Sequence, residues 1–306
     1  MDLHLRDLRY FETVADMGHL GRAADSLGRS QPALSKSIQR LEEMVGSTLF
    51  ERAGRGIRLT PAGQVLLARA RTLRTAGQEA LREVKDFTEG LAGHVRIGSG
   101  PVAADHLLPE LCSLALADGS HITISIVIGP SWELRDQLRE GKVDIVIGLT
   151  PEGDPDFVCH PVADDVVVVA AHHGHPVFAQ PRLRMASLLE HQWALPGPSI
   201  PSRQWLDMAF ASRGLTRPSV QIEANSIPLL PRMVAKTHLL TFVSRHTLRL
   251  DRSARLREVS LRSTTLRRSL GVTHRAGGYL SPAALRVVQL LRAGGKRLFG
   301  PGAADA

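Results

Sequence analysis

A chain of 306 residues with 43% hydrophobic and 22% charged residues has the apolar material for two domains or three small units, which excludes wholesale disorder. The formal charge of +8 suits a polyanionic partner, but residues 1–60 carry 9 basic against 8 acidic side chains, so bulk charge does not mark that segment for nucleic acid. Two cysteines, Cys112 and Cys159, argue against a disulfide framework, and the longest apolar run, Val166 to Ala171, is far short of the roughly 20 residues that cross a bilayer. Asp2, Arg6 and Asp7 interrupt any early apolar leader, so a cytoplasmic protein is expected.

The first predicted helix, about Leu5 to Met17, sets Leu5, Leu8, Phe11, Val14 and Ala15 on one face. A short helix from Arg22 to Leu27 turns Ala23, Ala24 and Leu27 inward and ends in the tight turn Gly28-Arg29. Ser30 then offers an N-cap and Pro32 sits in the first turn, where a missing N–H costs nothing. Along the helix that follows, Leu34, Ile38, Leu41 and Val45 form an apolar stripe; Pro32, Ser35, Lys36 and Gln39 lie opposite, with Gln31 at the entry. Alone, such a face is equally an ordinary solvated surface. Two helices joined by a short Gly-containing turn, however, form a helix-turn-helix, whose second helix can enter a major groove. Leu49–Arg52 and Gly56–Thr60 read as a hairpin around Ala53-Gly54-Arg55, a basic wing from which Arg52, Arg55 and Arg58 could reach phosphates or the minor groove.

Phe11, Ala23-Ala24, Ser30-Gln31-Pro32-Ala33-Leu34-Ser35, Leu41-Glu42, Gly46, Leu49-Phe50-Glu51-Arg52 and Leu59-Thr60-Pro61-Ala62-Gly63 together resemble the N-terminal domain of LysR-type transcriptional regulators over about the first ninety residues. The resemblance implies contact with double-stranded DNA by Gln31, Pro32, Ser35 and Lys36, with Arg52 and Arg55 on the wing; Arg29, Ser30, Gln39 and Arg40 complete the expected set. Gly21 departs from the family, which usually has a capping Ser or Thr there, and Arg29 replaces an aliphatic residue and could reach a phosphate instead.

Thr60 caps and Pro61 opens a long helix predicted to run to about Gly90. Its stripe of Leu66, Ala70, Leu73, Gly77, Ala80, Val84, Phe87 and Leu91 has the alternating spacing of a coiled-coil seam. A rod of roughly 45 Å is too long for so small a unit and suits a second copy, although packing within one chain would also use the stripe. The resemblance implies that such linker helices pair between subunits, as homodimers or homotetramers that also use their effector domains.

From His94 strands alternate with helices. Strands are predicted at Val95–Ser99, Ile122–Ile128, Val143–Gly148, Val158–Val162, Val166–Ala171, Gln192–Leu195, Val220–Glu223, Leu239–Val243 and Leu266–Thr273. Helices are predicted at about Asp105–Ala117, Trp132–Glu140, Gln204–Ser212, Ile227–Lys236 and Pro282–Leu291. The fold class is therefore α/β: a winged helix-turn-helix (1–60), a linker helix (61–92) and a two-lobed α/β domain (93–294), with a loose glycine-rich end from Gly294 and a flexible tail, 295–306. Lobe I takes about 93–162 and 268–293, and lobe II about 163–267. The resemblance implies that this part is folded like a periplasmic solute-binding protein, with its effector between the lobes.

At the carboxyl ends of strands and the amino ends of helices, where anions are favoured, lobe I offers Ser99, Gly100, Pro101, Pro130 and Ser131, the last as an N-cap. The resemblance implies that Gly197, Pro198, Ser199, Ser202, Asn225 and Ser226 of lobe II face the same cleft, and Thr273 is a weaker candidate. Each serine could equally be a cap that never meets ligand. The expected ligand is a small polar or anionic metabolite. His172-His173-Gly174-His175 has no carboxylate or cysteine at a ligand spacing, and Cys159 and His160 point to opposite strand faces, so neither a metal nor a nucleophilic pair is expected. The Arg-rich stretch from Arg245 to Arg268 could be a solvated face, a subunit contact or an anion-attracting rim.

The order of winged unit, pairing helix and sensor fits a ligand-responsive transcription regulator, not an enzyme and without a cofactor or membrane role. RNA polymerase is a further expected partner. A solute-binding or transport component would suit residues 93–293 but requires export.

Overall fold

The computed structural model describes residues 3–54, 56–88, 93–117, 121–150, 153–250 and 255–299, which divide into two compact units, 1–85 and 86–306.

In the first unit α1 (Leu5–Met17) buries Leu8, Phe11 and Val14, while Leu5, expected on the same face, lies in the first turn beyond the core edge and is exposed. Gly18 ends α1 at φ +59°, a left-handed cap that favours glycine. The next helix, α2 (Leu20–Ser26), is capped by His19, whose Nδ1 accepts from the N–H groups of Gly21 and Arg22 at 3.2 and 3.4 Å. A capping Ser or Thr at position 21 is therefore not needed. In α3 (Gln31–Val45) Ser30 occupies the N-cap position, but its side chain makes no capping bond; Val45, at the last turn before the left-handed Gly46, is exposed. A buried carboxylate joins α1 to α3: Asp7 accepts from Ser37 Oγ at 2.7 Å and from Arg40 at 2.5 Å.

The wing is an antiparallel pair, β1 (Phe50–Ala53) and β2 (Gly56–Leu59). Glu42 Oε1 ties it to α3 by accepting the N–H groups of Leu49 and Phe50. Thr60 caps α4 (Pro61–Thr88) by accepting from Gly63 N–H at 3.0 Å. Only glycine fits at position 63, since a Cβ there would come within 2.2 Å of the Leu49 carbonyl oxygen. Ala70 belongs to the core of this unit. Farther along α4, Leu73, Val84 and Phe87 of the expected seam are exposed, with Phe87 89% accessible. Leu91 and the predicted end at Gly90 lie outside the described residues.

The second unit is built on one nine-stranded mixed sheet. Its first part runs β3 (His94–Ser99), α5 (Pro101–His106), α6 (Leu108–Leu116), β4 (Thr123–Ile128), α7 (Ser131–Arg139) and β5 (Ile145–Leu149), with β3 parallel to both β4 and β5. The helix expected at Asp105–Ala117 is thus two helices, broken at Leu107, with Pro109 in the first turn of the second. Next comes β6 (Phe157–His172), a single strand where two were predicted. Pro161 does not interrupt it, because it faces Gly271 at a register shift where the ladder is irregular. Asp165, which reads as a break in the sequence, is buried and bonded by Ser244 Oγ and Arg268 Nε.

The second lobe continues with β7 (Trp193–Leu195), α8 (Pro201–Ala211), β8 (Val220–Glu223), α9 (Leu229–Val234), β9 (Leu240–Ser244), α10 (Arg245–Leu250) and β10 (Leu256–Glu258). Of the Arg-rich stretch, Arg245 forms a two-pronged pair with Glu258 and Arg268 pairs with Asp165, while residues 251–254 lie outside the described residues. The chain returns through β11 (Leu266–Arg275), antiparallel to β6 from Leu266↔Val167 to Arg275↔Phe157. The last helix, α11 (Pro282–Phe299), does not fray at its glycines. Gly295 lies against Val162, where a Cβ would come within 2.1 Å of Cγ1, and Phe299 is buried. Separate apolar cores fill the two lobes, around Ile97, Leu111, Ile145 and Val287 in one and Val169, Trp193, Phe210 and Phe242 in the other.

Candidate DNA-reading face and ligand cavity

The amphipathic spacing of α3 buries Leu34, Ile38 and Leu41 and leaves Gln31, Pro32, Ser35, Lys36 and Gln39 exposed, with Arg29 and Ser30 exposed at its entry. Short polar groups on a solvent-facing helix edge can meet base edges and phosphates. Two expected members are engaged within the unit: Arg40 is held by buried Asp7, which draws it off the outer face, and Gln39 donates to Glu43 at 3.1 Å. On the wing Arg52 is exposed, Arg58 pairs with Glu51 at 2.8 Å, and Arg55 lies outside the described residues.

Within the second unit a cavity of about 810 Å³ lies between the lobes, a size typical of small-molecule sites. Of the expected residues, Gly100, Pro101, Pro130, Ser131, Ser199, Ser202, Asn225 and Ser226 line it. Ser99 does not. It is fully buried, and its Oγ donates to backbone oxygens of Gly100 and Ile147, so it braces the turn after β3. Gly197 and Pro198 are also outside the lining; position 197 lies beneath it, against Asn225 and Glu223. Thr273 is buried beside a smaller hollow of about 20 Å³. Ser131 is the first residue of α7 rather than its cap, the cap position being Pro130.

Residues not anticipated from the sequence also line the cavity: Asp105, Trp132, Arg135, Arg268 and an apolar set that includes Ile128, Leu149 and Ile227. Arg135 was legible, because it stands one helical turn beyond Ser131 on the same face of α7. Arg268 was not, because its place depends on the pairing of β11 with β6.

Elsewhere in this unit, His175 Nδ1 accepts from Val177 N–H, and its Nε2 lies 3.2 Å from the His238 carbonyl, a structural role. Among the described residues no group of three or more His, Cys, Asp or Glu is arranged to hold a metal ion. Burial raises the pKa of the Cys159 thiol, opposed by a Thr273 hydrogen bond. Burial and the neighbouring His106 lower the pKa of His246 to about 4.

The helix-turn-helix with its wing and the two-lobed cavity unit occupy the segments matched by two family models: a bacterial regulatory helix-turn-helix protein of the lysR family over residues 5–64, and the LysR substrate binding domain over 88–296. The chain belongs to the LysR-type transcriptional regulator family. Among its relatives, the SDS degradation transcriptional activation protein of a Pseudomonas species is 30% identical over 289 residues, covering 92% of each chain. The RuBisCO operon transcriptional regulator of Allochromatium vinosum is 31% identical over 290 residues, 93% of this chain and 94% of that one. The fold is shared with CbnR complexed with its target DNA, at a TM-score of 0.61 and 19% identity over 95% of this chain and 99% of that one. It is also shared with a full-length OxyR variant from Pseudomonas aeruginosa, at 0.58 and 24% over 95% and 100%.

This LysR-type regulator is accordingly a DNA-binding transcription regulator modulated by a small-molecule effector, and not an enzyme. No helix among the described residues is long and apolar enough to cross a membrane.

Proposed function

We propose that the regulator reads an operator in the cytoplasm through Gln31, Pro32, Ser35 and Lys36, with Arg29 and Ser30 at the helix entry and Arg52 and Arg55 on the wing. Its effector sits in the interlobe cavity against Gly100, Pro101, Pro130, Ser131, Ser199, Ser202, Asn225 and Ser226. The observation that carries this reading is that polar loop ends from both lobes converge on one cavity of about 810 Å³. Residues 1–60 act as the winged unit, 61–92 as the pairing helix and the rest of the described chain as the sensor. Two or four copies assemble through α4 and the effector domains, and the assembly contacts RNA polymerase.

Ligand shifts the regulator only if it favours one arrangement of the assembly over another, since equal affinity for both moves nothing. Footprints on a selected operator, with and without a small-molecule extract that alters them, test this. Ser199→Trp, which fills the cavity from an exposed loop, is expected to keep the basal footprint and lose the extract's effect. An effect that survives in Ser199→Trp removes the cavity from the mechanism.

A further inference from the structure

We propose that the cavity selects a monocarboxylate with an apolar, ring-sized body, its carboxylate held by Arg135. The inference rests on the ligand-site reading above and names the class of ligand.

Three charged residues line the cavity: Asp105, Arg135 and Arg268. Arg268 is already neutralised, with Nε and Nη2 both 2.7 Å from Asp165 Oδ2 and its side chain only 15% exposed. Arg135 is half-buried and makes neither ion pair nor hydrogen bond with any described residue, so it is the one wall cation open to a ligand among them. A guanidinium matches a planar carboxylate with two parallel hydrogen bonds.

Ser131 stands one turn before Arg135 on the same helix face and brings a hydroxyl to the same wall. The amino ends of α7 and α8 both reach the cavity, and neither is closed by a side chain, because their N-cap residues are Pro130 and Ile200. Open first-turn N–H groups add to the preference for negative charge.

Asp105 limits that charge. Its side chain is 47% exposed, and its nearby partner is His106 at 3.8 Å, an imidazole that burial keeps neutral at pH 7. A second carboxylate or a phosphate dianion would meet this uncompensated anion. Most of the remaining wall is apolar, with Val102, Ile128, Trp132, Leu149, Ile227 and Leu270, which suits a hydrocarbon or aromatic body beside the few polar groups of Ser131, Ser199, Ser202, Asn225 and Ser226.

The test is calorimetric titration of the full-length protein with isovalerate, cyclohexanecarboxylate, 3-phenylpropionate and indole-3-acetate. Each acid is compared with its amide, and succinate and phenyl phosphate are run alongside. At least one acid is expected to bind at least 10-fold more tightly than its amide, succinate or phenyl phosphate. Arg135→Gln should weaken that acid 10- to 100-fold and leave the amide unmoved, and Asp105→Asn should tighten succinate several-fold. The assignment is overturned if no acid binds, if acid and amide bind alike, if either dianion binds best, or if Arg135→Gln binds the acid as the unaltered protein does.

Ser199→Trp separates the two levels of the argument. Loss of a ligand of another class in that variant refutes the carboxylate alone, whereas an acid that binds it undiminished refutes the cavity as well.

Discussion

His246 shows how a single side chain sets a limit on the conditions the sensor tolerates. Its ring stacks on Phe299 of α11 at 4.6 Å and meets the His106 ring edge-on at 4.7 Å, while Thr247 hydrogen-bonds His106 at 2.9 Å. Burial, His106 and Arg249 lower its pKa to about 4, with Asp165 opposing. The unfolded chain titrates near 6.5, so between those values it binds more protons than the folded chain, and stability falls as pH drops from about 6.5 to about 4. Two or more units at about 1.4 kcal/mol each, discounted for residual solvent screening, amount to about 2 kcal/mol. Urea midpoints of the second unit measured from pH 7.5 to 4.5 should show this slope, and His246→Gln should flatten it.

Asp7 makes a comparable prediction in the first unit. Asp7→Ala strands Ser37 Oγ and the Arg40 guanidinium, both held by that carboxylate, and is expected to cost about 2 to 4 kcal/mol in the unfolding of residues 1–85. An unchanged urea midpoint for that unit contradicts it.

At the scale of elements, α1 is predicted with the bounds it has, and α3 and the wing lie within a residue or so of theirs, because period and turn chemistry agree there. The cap of α2 was hidden, since His19 is an uncommon N-cap whose role needs its ring turned onto two N–H groups. β6 was read as two strands because a proline and two aspartates mark a break locally; their tolerance comes from β11, more than a hundred residues on. The glycines of α11 misled for the same reason, as Gly295 is required by Val162 on another element. Much of the cavity was legible from serines and prolines after strands, but the buried position of Ser99 and the presence of Arg268 depend on sheet pairing.

The exposed edge of α3 makes its own prediction. Gln31→Ala should lose about 1 to 3 kcal/mol of discrimination at one base pair, while Arg52→Ala should weaken all sequences and flatten the salt dependence. Competition binding on operator and random duplex at several salt concentrations separates the two, and equal losses on both duplexes for both variants refute the assignment.

For the whole molecule, α4 is 28 residues long, about 42 Å, and carries Leu73, Leu81, Val84 and Phe87 to solvent in the isolated chain. Leu73, Val84 and Phe87 fall on the stripe that also holds Gly77 and Ala80, where the spacing alternates between four and three residues, and Leu81 lies beside it; such a stripe on an exposed helix is suited to a second copy. Phe87→Asp and Val84→Asp together should lower the mass measured by light scattering and weaken operator binding far more than binding to a half-site. An unchanged mass rules out this seam.

The pairing of β6 with β11 carries a consequence for signalling. Because the ladder continues through the boundary of the lobes, with only one register shift at Leu270/Gly271, the two halves of the sensor share a single plate of hydrogen bonds. A plate of this kind resists opening between the lobes more than it resists winding about its long axis. The radius of gyration of the saturated sensor is therefore expected to match that of the empty one, and a measured compaction on saturation would show that the lobes close across the ladder.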